Sequence, residues 1–364
     1  ESAGILYFTR HYRLRPGQVE PSRDGNPPAT GDLGYLKFGV FPADNGCFSI
    51  TLCTPEIEYE MRKAIVHPET WDGIVANIPG LKVWTDTALS EPVSKVFGMG
   101  NLHSHAFQRG MAGLTEKGGP QGDSFWSWRK LMYRFLENLR PDDVEVIATQ
   151  VYIEMLRAGY TSVCEFHYLH HQPDGRPYAD PSEMSQAIIR AAEDAGIGLT
   201  LLPVLYQTGG FDGRPLHAWQ RRFGHALDDY LKLLESLRAQ ESHLLKIGVA
   251  LHSLRAVPTD TLNALMPLLE GCDLPIHIHI AEQMAEVREC EAVRGARPVQ
   301  WLLDNAPVDA RWTLVHATHL HASEVKALAR SKATVAICPS TEANLGDGFF
   351  ALPEFLKAKG SFSI

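Results

Sequence analysis

The chain has 364 residues, with 34 basic and 43 acidic side chains and a net charge of −9. Hydrophobic residues make up 45% and charged residues 21%, ordinary globular proportions that exclude a disordered or fibrous chain. An isoelectric point near 6.0 argues against general nucleic-acid binding, which needs a basic face, and fits a small-molecule partner. No apolar run approaches the roughly 18 residues of a membrane span, and the opening ESAGILYFTRHYRLRPGQ lacks the order of a signal peptide. Neither a nucleic-acid nor a membrane partner is therefore expected. The six cysteines include no C-x-x-C pair, which predicts reduced thiols and a cytoplasmic protein.

Residues 1–98 read as an α+β segment. A turn-rich stretch, RPGQVEPSRDGNPPATGD, comes first. The runs YLKFGVFPA and CFSITLC then read as strands. TPEIEYEMRKAIV reads as a helix with Thr54 as its N-cap.

From about residue 96 the pattern changes to short apolar strands alternating with amphipathic helical segments. The predicted strands are 96–103, 160–168, 197–206, 245–253, 275–281, 312–317 and 333–339, and an eighth begins at GSFSI. Helical segments such as SEMSQAIIRAAEDAG and DTLNALMPLLEG end on Gly, the usual C-cap. Alternating units of this kind predict a parallel sheet covered by helices. We read them as a (β/α)8 TIM-type barrel over 99–364, truncated in strand eight, with the α+β segment as an N-terminal appendage. A doubly wound open sheet is the alternative.

The barrel is preferred because polar residues collect at strand ends, where barrel active sites lie. Strand one ends in His103-Ser104-His105, strand two in Glu165, His167 and Tyr168, and strand four in His252. Strand five carries His277 and His279 and then Glu282. Strand six ends in His316, and strand seven in Ser340-Thr341-Glu342. One H-x-H pair means little among 16 histidines. Imidazoles ending strands one, five and six would, however, converge on one mouth. Alternate strand residues share a face, so His103 and His105 can point to one centre.

Convergent neutral imidazoles suit zinc, with iron or manganese as alternatives. A catalytic zinc keeps a position open for water and lowers its pKa toward about 7. Glu282 sits where a carboxylate could shuttle protons, and His316 could hold the water or polarise the electrophile. His277 reads as a packed strand residue. His319 and His321 read as loop residues, and His170, His171, His217, His225 and His243 as surface residues. Trp126 and Trp128 read as core or lid packing.

The stretches NLHSHAFQRGMAGL, SFWSWRKLMYRF, CEFHYLHHQPDG, GVALHSLRAV, HIHIAEQ, LVHATH and CPSTEANLGDGFF together resemble the amidohydrolase superfamily, over about 99–364. The resemblance implies that His103, His105 and His279 bind one zinc ion and that Glu282 and His316 handle protons and water. It implies that Gln108, Tyr168, His252 and Arg255 contact substrate. Within the superfamily the likeness is to a deiminase of histidine degradation, which releases ammonia from N-formimino-L-glutamate. Arg255 suits a glutamate-derived substrate, since guanidinium binds carboxylate bidentately. A ring deaminase of the same superfamily is the alternative, and the reading allows a homodimer. The family's fourth ligand, an Asp ending strand eight, falls beyond Ile364, and Asp347 precedes that strand. Weak turnover and unpaired edges on strands one and seven are therefore expected.

Residues 1–98 instead resemble an internal piece of a flavin-dependent monooxygenase-type protein, in TRHYRLRPGQ, GDLGYLKFGVFPADNGCFSITL and SEPVSKVFGMG. The Gly-rich dinucleotide fingerprint is absent, so no flavin binding is predicted. The two likenesses meet near 98–101. A fusion, or an inactive fragment carrying a flavoprotein-derived segment, is a further alternative.

Overall fold

A computed structural model describes residues 5–43, 45–55, 58–115 and 125–364. The chain divides into two compact units, Glu1–Gly100 with Tyr152–Ser162, and Asn101–Val151 with Val163–Ile364.

The first unit is built on an antiparallel sheet. Strands β1 (Ile5–Leu14), β2 (Thr30–Asp32), β3 (Lys37–Pro42), β4 (Cys47–Pro55) and β5 (Ser90–Pro92) form it. β1 and β4 pair from Ile5↔Pro55 to Arg13↔Cys47. Their burial alternates with the two-residue period of a half-buried strand. Leu6, Phe8, Tyr12, Phe48, Ile50 and Leu52 point inward, where Trp71 and Trp84 are also fully enclosed. Tyr12 stacks on Phe48 at 5.3 Å between ring centroids and accepts a hydrogen bond of 2.8 Å from Trp71 Nε1. Helices α1 (Tyr59–Ile65), α2 (Pro68–Asn77) and α3 (Pro79–Lys82) follow.

One expectation changes here. Thr54 does not cap a helix: its residue pairs with Leu6 in β4, it is buried, and α1 starts at Tyr59. The ladder to β1 outweighs the local capping signal. β1 itself carries no clean alternating signature, because Arg10 occupies an inward position, neutralised by Asp72 at 2.7 Å.

In the second unit strands and helices alternate. Strand β6 (Phe97–Ser104) enters it from the first unit. Helices α4 (Phe125–Leu136) and α5 (Pro141–Arg157), strand β7 (Tyr160–His167), helix α6 (Glu183–Ala195), strand β8 (Gly198–Leu205) and helix α7 (Leu227–Arg238) come next. Then follow β9 (Leu245–Ile247), β10 (Val249–Ser253), α8 (Thr259–Leu265), β11 (Ile276–Ile280), α9 (Met284–Arg294), α10 (Pro298–Asn305) and β12 (Trp312–His316). Helix α11 (Ala322–Ser331), β13 (Thr334–Ala336), α12 (Pro339–Leu345), α13 (Leu352–Lys357) and β14 (Ser361–Ser363) complete the series.

The strand order is β6-β7-β8-β10-β11-β12-β13-β14, with β9 beside β8. The ladders from β8 through β14 are parallel. Chain order is kept around the sheet, as in a β/α barrel and unlike a doubly wound sheet. Among the described residues no ladder joins β14 back to β6. Strand seven does not keep the bare edge expected for it: β14 pairs with β13 from Thr334↔Ser361 to Ala336↔Ser363. Within the first unit β6 also gains a partner, Gly98 pairing with Phe8. No helix among the described residues is long and apolar enough to cross a membrane. All six cysteines are free.

Candidate metal centre and substrate pocket

Residues on or just past β6, β7, β10, β11 and β12 bring polar side chains to one cavity. His103 and His105 sit on alternate positions ending β6, and His279 is the penultimate residue of β11. Their Nε2 atoms are 3.0 Å apart for His103–His105, 3.3 Å for His105–His279 and 3.0 Å for His279–His103. The other nitrogens of two rings are fixed. His105 Nδ1 donates to the Phe166 carbonyl at 2.9 Å, and His279 Nδ1 to the His252 carbonyl at 3.1 Å. A carbonyl only accepts, so Nδ1 holds the proton and Nε2 presents a lone pair to the centre. Burial, then neighbouring imidazoles, hold His103 and His279 well below the usual histidine range. Burial holds His105 at about 4. Three neutral nitrogens with converging lone pairs could hold a metal ion, and their spacing suits tetrahedral ligands at about 2.0–2.1 Å from zinc. Glu165 sets the frame behind them, accepting the Ala106 amide at 2.7 Å just past His105.

Beside this trio lies an acid-rich wall. His316 Nε2 is 3.6 Å from Glu282 Oε1, and its Nδ1 is 3.1 Å from Glu342 Oε1. Burial alone would depress the His316 pKa. The carboxylates of Glu282, Glu342 and Asp347 overcome it and raise the pKa above the ordinary value. Glu342 also accepts the Cys338 amide at 2.8 Å. Burial and then Glu282 push Asp347 up to about 7, and Gln283 Nε2 donates to it. His316 has φ 69°, Ala317 φ 47° and Ala281 φ 51°, a left-handed backbone that side chains rarely adopt and that marks functional sites.

The cavity lining is also aromatic and basic. Gln108 Nε2 donates to the Tyr168 hydroxyl at 3.1 Å, and that hydroxyl lies 3.4 Å from Met132 Sδ. His252, Arg255, Arg129, Tyr133 and Trp128 line the same cavity. Glu286 accepts the Ala281 and Glu282 amides, each at 3.1 Å, and so fixes the turn that carries Glu282. Burial lifts Glu286 to about 7, with Arg255 opposing the shift.

All nine candidate site residues named from sequence thus border one cavity. His277 is buried within β11. Ser340, Thr341 and Glu342 lie on α12 and not on a strand end, because Pro339 at its first turn favours a helix. His321 caps α11, where its side chain and Glu324 form a capping box. His170, His171 and His225 are buried, against the expectation of surface positions. Trp128 faces the cavity, whereas the side chain of Trp126 lies outside the described residues. Arg129, Tyr133 and Glu286 were not singled out in sequence. The i, i+4 spacing of Glu282 and Glu286 and the basic-aromatic run WRKLMY were the available signals.

A β/α barrel with an imidazole metal set at the C-terminal strand ends defines a metal-dependent hydrolase class. Residues 96–364 match the amidohydrolase family, and the chain belongs to that family. It is 56% identical over 268 residues to the formimidoylglutamate deiminase of Pseudomonas aeruginosa, covering 73% of this chain and 59% of that protein. The chain therefore spans about three-fifths of that relative's length. An amidohydrolase crystal structure from Brucella melitensis superposes with a TM-score of 0.71 at 52% identity, covering 73% of this chain and 60% of that one. The fold is shared at 19% identity with atrazine chlorohydrolase from Arthrobacter aurescens TC1, solved with zinc, at a TM-score of 0.63 and with 73% and 59% coverage.

Proposed function

We propose that this chain forms the catalytic barrel of a zinc-dependent formimidoylglutamate deiminase. The reaction is hydrolysis of N-formimino-L-glutamate to N-formyl-L-glutamate and ammonia. One observation carries the reading: Arg129 and Arg255 line the same cavity as the imidazole trio. Two guanidinium groups suit a substrate with two carboxylates, which a purine or pyrimidine does not offer. The 56% identity to a formimidoylglutamate deiminase supports it.

His103, His105 and His279 would hold the metal, whose bound water would ionise near neutral pH. Glu282 Oε1 receives a proton from the attacking water and passes it to the terminal imino nitrogen, and then relays the remaining hydroxyl proton to the resulting amino group as it departs. The carbon–nitrogen bond there breaks, ammonia leaves, and the water oxygen stays as the formyl oxygen. His316 Nε2, held by Glu342, lies beside Glu282 and steadies the oxygen that gains charge. Gln108, Tyr168 and His252 orient the formimino end, and the two arginines anchor the glutamate carboxylates. We read the protein as cytoplasmic and residues 1–98 as a unit of separate origin.

The test is ammonia release from N-formimino-L-glutamate, guanine and cytosine by the zinc-loaded protein that carries this chain. Release from the first substrate alone is expected. Glu282→Gln should lower kcat by about 100- to 10,000-fold with zinc content unchanged. Preference for a ring substrate, or full activity in Glu282→Gln, would overturn the reading.

A further inference from the structure

Four histidines outside this cavity lie together. His167 ends β7, His170 and His171 follow it, and His225 precedes α7; all four are buried. His170 Nε2 lies 3.1 Å from the Val204 carbonyl, and His171 Nε2 lies 2.6 Å from the Gly224 carbonyl. Each Nε2 must donate, so each Nδ1 carries a lone pair. Both Nδ1 atoms are buried without a hydrogen-bond partner, as are His167 Nε2 and His225 Nε2. Four desolvated, unpaired nitrogens in one cluster are unusual, because buried polar atoms are nearly always satisfied.

The ring spacing resembles that of the trio. Centroids are 4.4 Å apart for His170–His225, 4.8 Å for His171–His225 and 6.3 Å for His170–His171. The trio's are 4.5, 4.8 and 5.2 Å apart. A ring N–H fixed on a backbone carbonyl, with the other nitrogen bare, is the arrangement of ligating imidazoles. His171 and His225 also line an open cleft with Tyr206, Gln207 and Gly224, which gives an ion a route from solvent. The donor nitrogens are less closely gathered than in the trio, no three of them lying within 4.8 Å of one another. Capture of an ion therefore requires the bare nitrogens to draw closer together.

We propose that His170, His171 and His225 form a second metal site, selective for a borderline divalent ion such as Zn2+, with His167 packed behind His170. The site is independent of the deiminase reading. The competing occupant is a buried water bridging the same nitrogens.

Equilibrium dialysis of the chelator-stripped 364-residue protein against Zn2+ tests it. Two zinc ions per chain are expected for the parent. One is expected for the His103→Asn/His105→Asn variant, which keeps only the second site, and one for His171→Asn/His225→Asn. No uptake by His103→Asn/His105→Asn would overturn the proposal and leave a water among the rings. Two ions retained by His171→Asn/His225→Asn would overturn it as well. Should that double variant fail to fold, His171→Asn alone in the His103→Asn/His105→Asn background decides: a tenfold or greater loss of zinc affinity supports the site, and unchanged affinity overturns it.

Discussion

Under the proposed function, Arg255 would serve binding and not chemistry. It lines the same cavity as Arg129, Glu282 and His316. Arg255→Met removes a charge-assisted partner for a carboxylate, worth about 2 kcal/mol or more when desolvated. We expect KM for N-formimino-L-glutamate to rise about 30-fold with kcat changed little, measured by steady-state ammonia release. A fall in kcat with unchanged KM would place Arg255 in the chemistry instead. Acid stability is also set residue by residue. Burial holds His225 at about 4 and His167 at about 3, against about 6.5 in the unfolded chain. Between those values the unfolded state binds protons that the folded state refuses, so stability falls as pH drops below 6.5. The metal-free protein should lose melting temperature steadily from pH 7 to pH 4, and His225→Asn should flatten that decline; parallel curves would contradict this. Sequence made the trio legible, since strand alternation puts His103 and His105 on one face. It hid His170, His171 and His225, because a histidine outside a periodic run carries no signal of burial. Arg129 was equally hidden, because its helix must first be placed over the barrel mouth.

Strands and helices were legible where apolar runs and Gly stops coincide. Strand four is the exception, divided into β9 and β10 at Gly248. A Cβ there would lie 2.6 Å from Leu202 Cδ2, 2.7 Å from Pro275 Cγ and 2.8 Å from the Pro275 carbonyl oxygen. Neighbouring backbone comes too close for any side chain. Gly248→Val should destabilise the barrel by about 1–3 kcal/mol or more, read as a lower denaturant midpoint; an unchanged midpoint would refute the packing argument. β1 escaped notice for a related reason. Its inward Arg10 breaks the apolar alternation, and the Asp72 carboxylate, 62 residues away, together with the Ser94 carbonyl, makes that burial tolerable. Thr54 misled because a good cap residue is also a good strand residue, and pairing across β1 decided between them.

The whole barrel brings together what the chain keeps far apart. His105 and His279 are 174 residues apart, and His103 and His279 are 176 apart. Yet their Nε2 atoms meet because β6 and β11 end at the same mouth of a parallel sheet. Strand order was legible from the βα rhythm, whereas the short β13–β14 ladder was not, being only three pairs long. The central claim is that one ion held by this trio makes the cavity a deiminase. Zinc titration of the chelator-stripped protein that carries this chain, with ammonia release from N-formimino-L-glutamate as the signal, tests it most directly. Activity should be absent without metal, return as zinc is restored, and stay absent in His279→Asn at every zinc concentration. Ammonia release that persists after full chelation, or in His279→Asn, would contradict the account.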